Sequence, residues 1–217
     1  MPQATAPTKK SPAKRTRRTQ ERTEVTRAKL MEAAARLFSE KGFDGVSVRD
    51  IETDAGVQRG LLVYHFGSKE AFWKAVADAT FGLLRTEYEE RLKILRDLSE
   101  RERLAFVIRF HVRFYARHPE LSRLMSQEAI HDSWRIRYLV DKHIKPSSEA
   151  LKQAVMRSLG IDEDAFVHWY YIMVSASATI FSFAPECQLL FNRDSREEKM
   201  VEDHAEMLVS MLLGSVR

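Results

Sequence analysis

Apolar residues recur three and four positions apart along most of the chain, and this spacing places them on one face of an α-helix. The first amphipathic stretch is predicted to run from about Arg22 to Lys41. Its apolar stripe consists of Leu30, Ala33, Ala34, Leu37 and Phe38. The alternation with a period of two that indicates a half-buried strand is missing from the sequence. The pattern therefore predicts an all-α protein.

Two much shorter helices follow the first one and are joined by a tight turn. Ser47 and Asp50 have the spacing of a capping box, and Gly56 suits the left-handed residue that ends a helix. The second short helix is predicted over residues 58–65, and Ser68 caps the helix that comes next. This arrangement is typical of a helix-turn-helix, whose second helix enters the DNA major groove. The alternative, a generic helical hairpin, is disfavoured by the amphipathic helix in front of it.

The remainder of the chain predicts six longer helices. They run from Lys69 to about Asp97, from Ser99, with Glu102 as its capping-box partner, to about His118, from Pro119 to about His131, from Trp134 to Leu159 with a kink at Pro146, from Glu163, with Asp162 as its cap, to about Phe183, and from a capping box of Ser195 and Glu198 to about Leu213. With the three helices before them, this makes about nine helices. The predicted domains are a flexible basic arm (residues 1–21), a DNA-binding head (22–68) and a larger helical body (69–217).

Positive charge is concentrated at the N-terminus. Residues 1–27 carry eight basic and two acidic side chains, which gives +6, whereas the whole chain of 217 residues has a formal charge of +4. Pro2, Pro7 and Pro12 favour a solvated, extended segment. Because the segment adjoins a DNA-binding head, we expect it to track phosphates or enter the minor groove. The alternative is an ordinary solvated tail.

Composition limits the remaining classes of protein. Hydrophobic residues make up 44% of the chain, so a real core is expected. No apolar run reaches the length of a membrane span, and no apolar stretch follows the basic N-terminus as it does in a signal peptide. The single cysteine, Cys187, excludes an internal disulfide. These features predict a cytoplasmic, nucleoid-associated protein without a membrane partner.

The stretch from Leu30 to Val76 resembles the DNA-binding head of the TetR (tetracycline repressor) family of bacterial regulators. The matching residues are Ala33, Ala34, Leu37, Phe38, Gly42, Ser47, Val48, Ile51, Ala55, Gly56, Val57, Gly60, Leu62, Tyr64, His65, Phe66, Ser68 and Lys69. The resemblance implies an all-helical homodimer that binds a palindromic double-stranded DNA operator. It also implies a ligand-released repressor, with the small-molecule effector held in the larger domain.

Candidate DNA contacts follow from the motif. We expect Gln58, Arg59, Leu61 and Tyr64 to approach base edges, and Arg59 can grip a guanine bidentately. Phosphate contacts are expected from Ser47, Tyr64, His65 and Lys69, and Gly60 allows close approach of the backbone. Family members often have a small polar residue at position 61 and an aromatic one at position 63, where this chain has Leu61 and Val63. The operator of a relative therefore does not transfer to this chain.

The last two predicted helices have the features of a dimer interface. The family pairs the equivalent helices across a two-fold axis as a four-helix bundle. The candidate interface residues are Ser175, Ala178, Met200, His204, Met207, Leu208 and Met211. The alternative is that these faces pack only within one subunit.

Aromatic and polarisable side chains in the body are candidates for an effector pocket. They are Phe106, Phe110, Phe114, Met125, Trp134, Trp169, Met173 and Phe181, with Arg109 and His168 as polar contacts. The alternative for each of them is plain core. An anionic ligand would suit Arg109 and the neighbouring Arg113.

Catalysis is not predicted. The sequence has neither a glycine-rich phosphate loop nor a metal-binding motif, so no cofactor and no metal ion are expected. Cys187 could sense oxidants, but a structural role is the commoner one. A second interpretation is a DNA-bound adaptor or chromosome-organising protein whose body binds another protein. The third, an enzyme with an inert head, has no support in the sequence.

Overall fold

The structure is a computed structural model that describes residues 12–95 and 97–214, with the side chains of residues 12–19 and Ile94 left out. All its regular elements are helical, which confirms the predicted all-α class. The helices are α1 (Pro12–Lys41), α2 (Val48–Asp54), α3 (Leu61–Phe66), α4 (Lys69–Ile94), α5 (Glu100–Arg117), α6 (Pro119–Ala129), α7 (Trp134–Leu139), a π-helical turn (Val140–Ile144), α8 (Lys145–Leu159), α9 (Glu163–Ser182), α10 (Ala184–Phe191) and α11 (Glu198–Leu213).

Four predicted helix starts are confirmed by their caps. The hydroxyl groups of Ser47, Ser68 and Ser99 and the carboxylate of Asp162 each accept a backbone hydrogen bond from the first turn of the following helix. Ser47 and Ser99 also form the reciprocal capping boxes that the sequence predicts. These bonds connect residues three positions apart, which is why local sequence is enough to predict them.

Other predicted boundaries were wrong. Helix α1 begins at Pro12, so residues 12–21 lie within it, while residues 1–11 of the expected arm fall outside the described residues. Helix α3 begins at Leu61, because Gly60 adopts a left-handed conformation with φ +85°. Helix α11 begins after Glu197 without a side-chain cap. Ser195, the predicted cap, is buried, and its hydroxyl has no hydrogen-bond partner among the described residues.

Head and body share one apolar core. Helices α1 to α3 enclose Leu30, Phe38, Ile51 and Leu62, and the start of α4 adds Phe72, all of them fully buried. The contiguous cluster continues into the body, where α5, α9 and α11 bury residues such as Ile108, Phe114, Met173 and Ala205. Burial of this apolar surface is the main stabilising contribution to the fold.

The junction between head and body is both polar and aromatic. Gln127 of α6 donates from Nε2 to the backbone oxygen of Ser39 at 3.0 Å. Arg135 of α7 donates to the buried carboxylate of Glu128 at 2.7 Å and to Asp44 of the head at 3.3 Å. The body therefore contacts the segment that leads from α1 into the helix-turn-helix.

A second contact connects α4 to the π-helical turn. Asp78 of α4 accepts hydrogen bonds from the Tyr138 hydroxyl at 2.8 Å and the Lys142 ammonium at 2.7 Å, and its Oδ1 lies 2.8 Å from His143 Nε2. The ring of Phe81 stacks on His143 at 4.8 Å. Helix α4 also follows directly from the helix-turn-helix. This contact therefore links the orientation of the head, through α4, to the position of the body.

Candidate DNA-binding and effector sites

Helix α2 is fixed at its start by the Ser47 capping box. The Ser47 hydroxyl accepts from the Asp50 backbone N–H at 3.1 Å, and the Ser47 backbone N–H donates to Asp50 Oδ2 at 2.9 Å. Hydrogen bonds from the Ser47 hydroxyl and then its backbone lower the pKa of the Asp50 carboxyl. Ser47 is exposed, so its outer side stays open to a phosphate.

The turn between α2 and α3 depends on glycine at two positions. Gly56 has φ +62° and Gly60 has φ +85°, a region that other residues rarely adopt. A methyl group at Gly60 would find no neighbour within 4 Å, so the requirement at this position is conformational and the backbone is open to close approach. Leu62 anchors α3 in the head core, and Phe66 packs on Phe72 at 4.4 Å.

The outer surface of this turn and of α3 carries most of the residues expected to read bases. Gln58, Arg59 and Gly60 are exposed, and Tyr64 is 81% exposed. Gln58 and Arg59 lie in the turn in front of α3, not within it as predicted. Leu61 is half-buried, so only part of its side chain can reach a base.

Two residues that are expected to contact phosphates also make contacts within the head, Lys69 through its ammonium group and His65 through its backbone oxygen. The Lys69 ammonium donates to the backbone oxygen of Phe43 at 2.5 Å and lies 4.1 Å from the centre of the Phe43 ring. Burial lowers the pKa of Lys69. The backbone oxygen of His65 accepts from Arg27 of α1 at 3.2 Å, and the Arg27 guanidinium lies 4.3 Å from the Phe66 ring centre. Arg27 thus supports the end of α3, a role that no local sequence pattern predicts.

Part of the predicted effector pocket is brought together in the body. On α5, Phe110 lies 6.0 Å from Phe106 and 5.9 Å from Phe114, measured between ring centres, and Tyr88 of α4 packs on Phe106 and Phe110. Phe110, Phe114, Met173 and Phe181 are fully buried, Trp169 is buried, and Met125 is half-buried. Trp169 donates from its indole nitrogen to the backbone oxygen of Leu212 at 3.2 Å.

Three predicted pocket residues lie elsewhere. Trp134 packs edge-on against Phe43 and Trp73, so it belongs to the head–body junction. His168 is exposed on α9. Arg109 forms a bidentate pair with Glu206 of α11, with distances of 2.6 and 2.7 Å, and Arg113 pairs with Glu202 in the same way. The side-chain hydrogen bond from Arg109 lowers the pKa of Glu206, so this arginine already has an anionic partner.

An open groove of about 300 Å³ lies at α10, away from this aromatic cluster. Its lining includes Ile180, Phe183, Cys187, Leu190 and Met200, and Cys187 is half-buried there. Within the described residues, no group of three histidine, cysteine, aspartate or glutamate side chains is placed to hold a metal ion. None of the helices described combines the length and the apolar character of a membrane span.

The candidate dimer residues fall into two groups. Ser175 is exposed, and Met207 and Met211 are 60% and 69% exposed. Ala178 and Leu208 are buried inside the subunit, Met200 is half-buried, and His204 Nε2 lies 2.8 Å from the backbone oxygen of Ala176. The second group therefore packs α9 against α11 within one chain. Tyr171 and Ile172 of α9 are exposed apolar neighbours that were not among the predicted residues.

Comparisons with known proteins agree with this architecture. The HTH-type transcriptional repressor NicS of Pseudomonas putida is 26% identical over 157 residues, which cover 69% of this chain and 73% of NicS. The HTH-type transcriptional regulator AcrR of Shigella flexneri is 30% identical over 113 residues, which cover 44% of this chain and 53% of AcrR.

Solved structures share the fold at low sequence identity. The fatty acid degradation regulator FadR from Bacillus halodurans superposes with a TM-score of 0.67 at 16% identity, covering 97% of this chain and 99% of that one. AibR, solved in complex with isovaleryl coenzyme A and operator DNA, gives 0.63 at 20% identity, with 87% of this chain and 98% of AibR covered.

Two family models match the chain directly. The model described as bacterial regulatory proteins, tetR family, matches residues 30–76. The model described as tetracyclin repressor-like, C-terminal domain, matches residues 101–212, which is more than half of the chain. The helix-turn-helix head and the helical body each correspond to the part of the chain that its model covers. The protein therefore belongs to the TetR family of DNA-binding transcriptional regulators.

Proposed function

We propose that this protein represses transcription as a homodimer on a two-fold symmetric operator and that a small ligand in its body releases it from DNA. The observation that carries the proposal is the exposed surface formed by the turn before α3 and by α3 itself. Gln58 and Arg59 are exposed in the turn, and Tyr64 is exposed on α3, the short helix that Leu62 anchors in the head core. Exposed polar side chains on a rigid recognition helix are what base reading in the major groove needs.

The proposed contacts divide into two kinds. Gln58, Arg59, Leu61 and Tyr64 approach base edges, whereas Ser47, Tyr64, His65 and Lys69 contact phosphates and fix the register on DNA. Gly60 lets the backbone approach the DNA closely. The bond from Lys69 to the Phe43 backbone uses one of the three donors of its ammonium group, so the other two remain for a phosphate.

The experiment is selection of bound fragments from the source genome by the purified protein, read by sequencing at about 50 mM and about 200 mM salt. A single palindromic motif that persists at the higher salt supports the specific regulator, and the neighbouring genes then indicate candidate effectors. Diffuse enrichment that disappears at the higher salt would contradict sequence reading and favour the adaptor that binds DNA through phosphates alone.

Ligand release is supported by the placement of α4. This helix leaves the helix-turn-helix at Lys69 and carries Tyr88, which packs on the α5 aromatic cluster that we propose as part of the pocket. A ligand that favours one tilt of α4 changes the separation of the two heads, provided that it binds the two states unequally.

Acyl coenzyme A thioesters are the first probes for this pocket, because AibR and the FadR of Bacillus subtilis were solved with isovaleryl and stearoyl coenzyme A. The affinity of each thioester should be measured with and without operator DNA. Weaker binding in the presence of operator supports release. Equal affinity with and without operator would exclude coupling for that thioester. If neither thioester bound, this class of effector would be excluded.

A further inference from the structure

Glu52 is a buried carboxylate at the centre of the helix-turn-helix. It lies on α2 with only 4% of its surface exposed, and its Oε1 accepts a hydrogen bond from the backbone N–H of Leu62 at 2.9 Å. Leu62 is the second residue of α3 and is itself fully buried. The acidic side chain of one helix thus holds the first turn of the next.

Helix α3 needs this bond because it has no cap of its own. Its N-cap residue is Gly60, which has no side chain and makes no capping hydrogen bond. The first N–H groups of a helix have no partner within the helix, and one left unsatisfied in a buried place destabilises the fold. A helix of six residues also has too few internal bonds to hold its own start.

The charge of Glu52 suits this position. Burial of a carboxylate is costly unless hydrogen bonds compensate it, and among the described residues no cationic side chain forms an ion pair with Glu52. Its oxygen lies instead at the start of α3, where the aligned peptide dipoles favour a negative charge. A second bond, from the Val57 backbone N–H to the Glu52 backbone oxygen at 3.0 Å, holds the turn from the same residue.

We infer that Glu52 is a positioning residue for sequence reading, because it fixes the start of α3 and with it the turn that carries Gln58 and Arg59. This inference rests on the proposed function, which assigns base contacts to that turn. Ser47 and Lys69, the proposed phosphate contacts, are held by bonds that do not involve Glu52. Loss of the Glu52 bond therefore weakens recognition of the operator and leaves non-specific affinity intact.

Three substitutions separate the hydrogen bond from the charge. Glu52→Gln removes the charge but keeps an oxygen at the same reach, whereas Glu52→Asp keeps the charge and shortens the side chain. Glu52→Ala removes both. Glu40→Ala is the matched control, because Glu40 is an exposed carboxylate on α1 whose one ion pair among the described residues is a 3.9 Å contact with Arg36 on the same helix.

Affinity should be measured for the operator selected by the wild-type protein and for a scrambled fragment of equal length. We expect Glu52→Ala and Glu52→Asp to lower operator affinity about tenfold, as the loss of a hydrogen bond to a buried charged group would, and to change affinity for the scrambled fragment less than about twofold. Glu52→Gln should retain most of the operator affinity, and Glu40→Ala should behave as wild type. Equal losses for both fragments, or a Gln variant as weak as the Asp variant, would overturn the inference.

Amide hydrogen exchange of residues 61–66 in the free protein tests the same bond without DNA. Exchange should be faster in the Asp and Ala variants and near wild type in the Gln variant. The denaturant midpoint of each variant, measured separately, shows whether it is folded. If the wild type selects no operator, the proposed function fails while this measurement still reports on Glu52. Unchanged exchange in the Asp variant would contradict the positioning role.

Discussion

At the scale of single residues, Arg59 is the side chain best placed to carry a specific contact. It is exposed in the turn directly before Gly60, and no ion pair or hydrogen bond holds its guanidinium among the described residues. Arg27 and Arg36, by contrast, are engaged by His65 and Asp54 within the head. A free guanidinium at the start of a recognition helix can form a bidentate contact with a guanine edge.

We therefore predict that Arg59→Ala relaxes the preference at one base position by about 1–3 kcal/mol. The measurement is a repeat of the fragment selection, with binding to single-base variants of the operator. The control is Arg49→Ala, which removes an exposed arginine on α2. We expect it to weaken binding to all DNA sequences about equally. An unchanged motif with Arg59→Ala would remove Arg59 from the set of base contacts.

How far residue roles could be predicted depends on the separation of the partners in sequence. The capping boxes at Ser47 and Ser99 join residues three apart and were predicted correctly. The bond from Arg27 to His65 spans 38 positions and that from Leu62 to Glu52 spans ten, and neither leaves a periodic signal. The pairing of Arg109 with Glu206 was not predicted for the same reason, because the two residues are 97 positions apart.

At the scale of elements, the contact between α4 and the π-helical turn joins the helix that leaves the head to the body. Burial alone raises the pKa of Asp78, but hydrogen bonds from Lys142, Tyr138 and His143 outweigh it, so the pKa of this carboxyl lies below its usual 3.8. A carboxyl whose pKa is lower in the folded state stabilises the fold above its unfolded pKa, and this stabilisation is lost as the pH falls through the folded pKa.

We predict that Asp78→Asn lowers the free energy of unfolding by about 1–2 kcal/mol near pH 7, a modest value because the carboxylate is partly exposed. The difference from wild type should shrink as the pH falls below the unfolded value of 3.8, because the wild-type carboxyl is then protonated as well. Urea unfolding of both proteins between about pH 7 and about pH 2.5 measures this difference in the free energy of unfolding. Asp132→Asn, whose partner Arg137 is also exposed, should change stability less. If the difference in the free energy of unfolding did not change with pH, stability would not depend on the protonation of Asp78, and the prediction would be wrong.

Three of the longer amphipathic helices were predicted well, whereas one short helix and one irregular segment in the body were not. Helices α5, α6 and α9 start and end within about two residues of their predicted bounds, because each has a sustained apolar face and a recognisable start. Helix α10 was missed, although Pro185 lies in its first turn, where proline is well tolerated. The predicted kink at Pro146 is in fact a π-helical turn just before it, over Val140–Ile144.

At the scale of the whole molecule, the exposed faces of α9 and α11 form the dimer interface that we propose. Tyr171 and Ile172 on α9 and Met207 and Met211 on α11 are all more than half exposed, although these helices pack firmly on α5 with their other faces. Large exposed apolar side chains that lie close together commonly mark an interface. A two-fold pairing through these faces would also supply the second head that a palindromic operator requires.

We predict that the double substitution Met207→Glu and Met211→Glu yields a folded monomer, because both side chains lie on the surface and buried carboxylates would oppose pairing. Sedimentation equilibrium measures the mass of the species, and Ala150→Glu on the exposed side of α8 is the control.

Affinity for the full operator should fall by about 100-fold, because two linked heads bind with a high effective concentration that a single head lacks. Affinity for one half-site should stay within about twofold, because the α3 surface is unchanged. A dimer that persists would place the interface on another face, and a monomer that binds the full operator as tightly as wild type would mean that one head is enough for recognition.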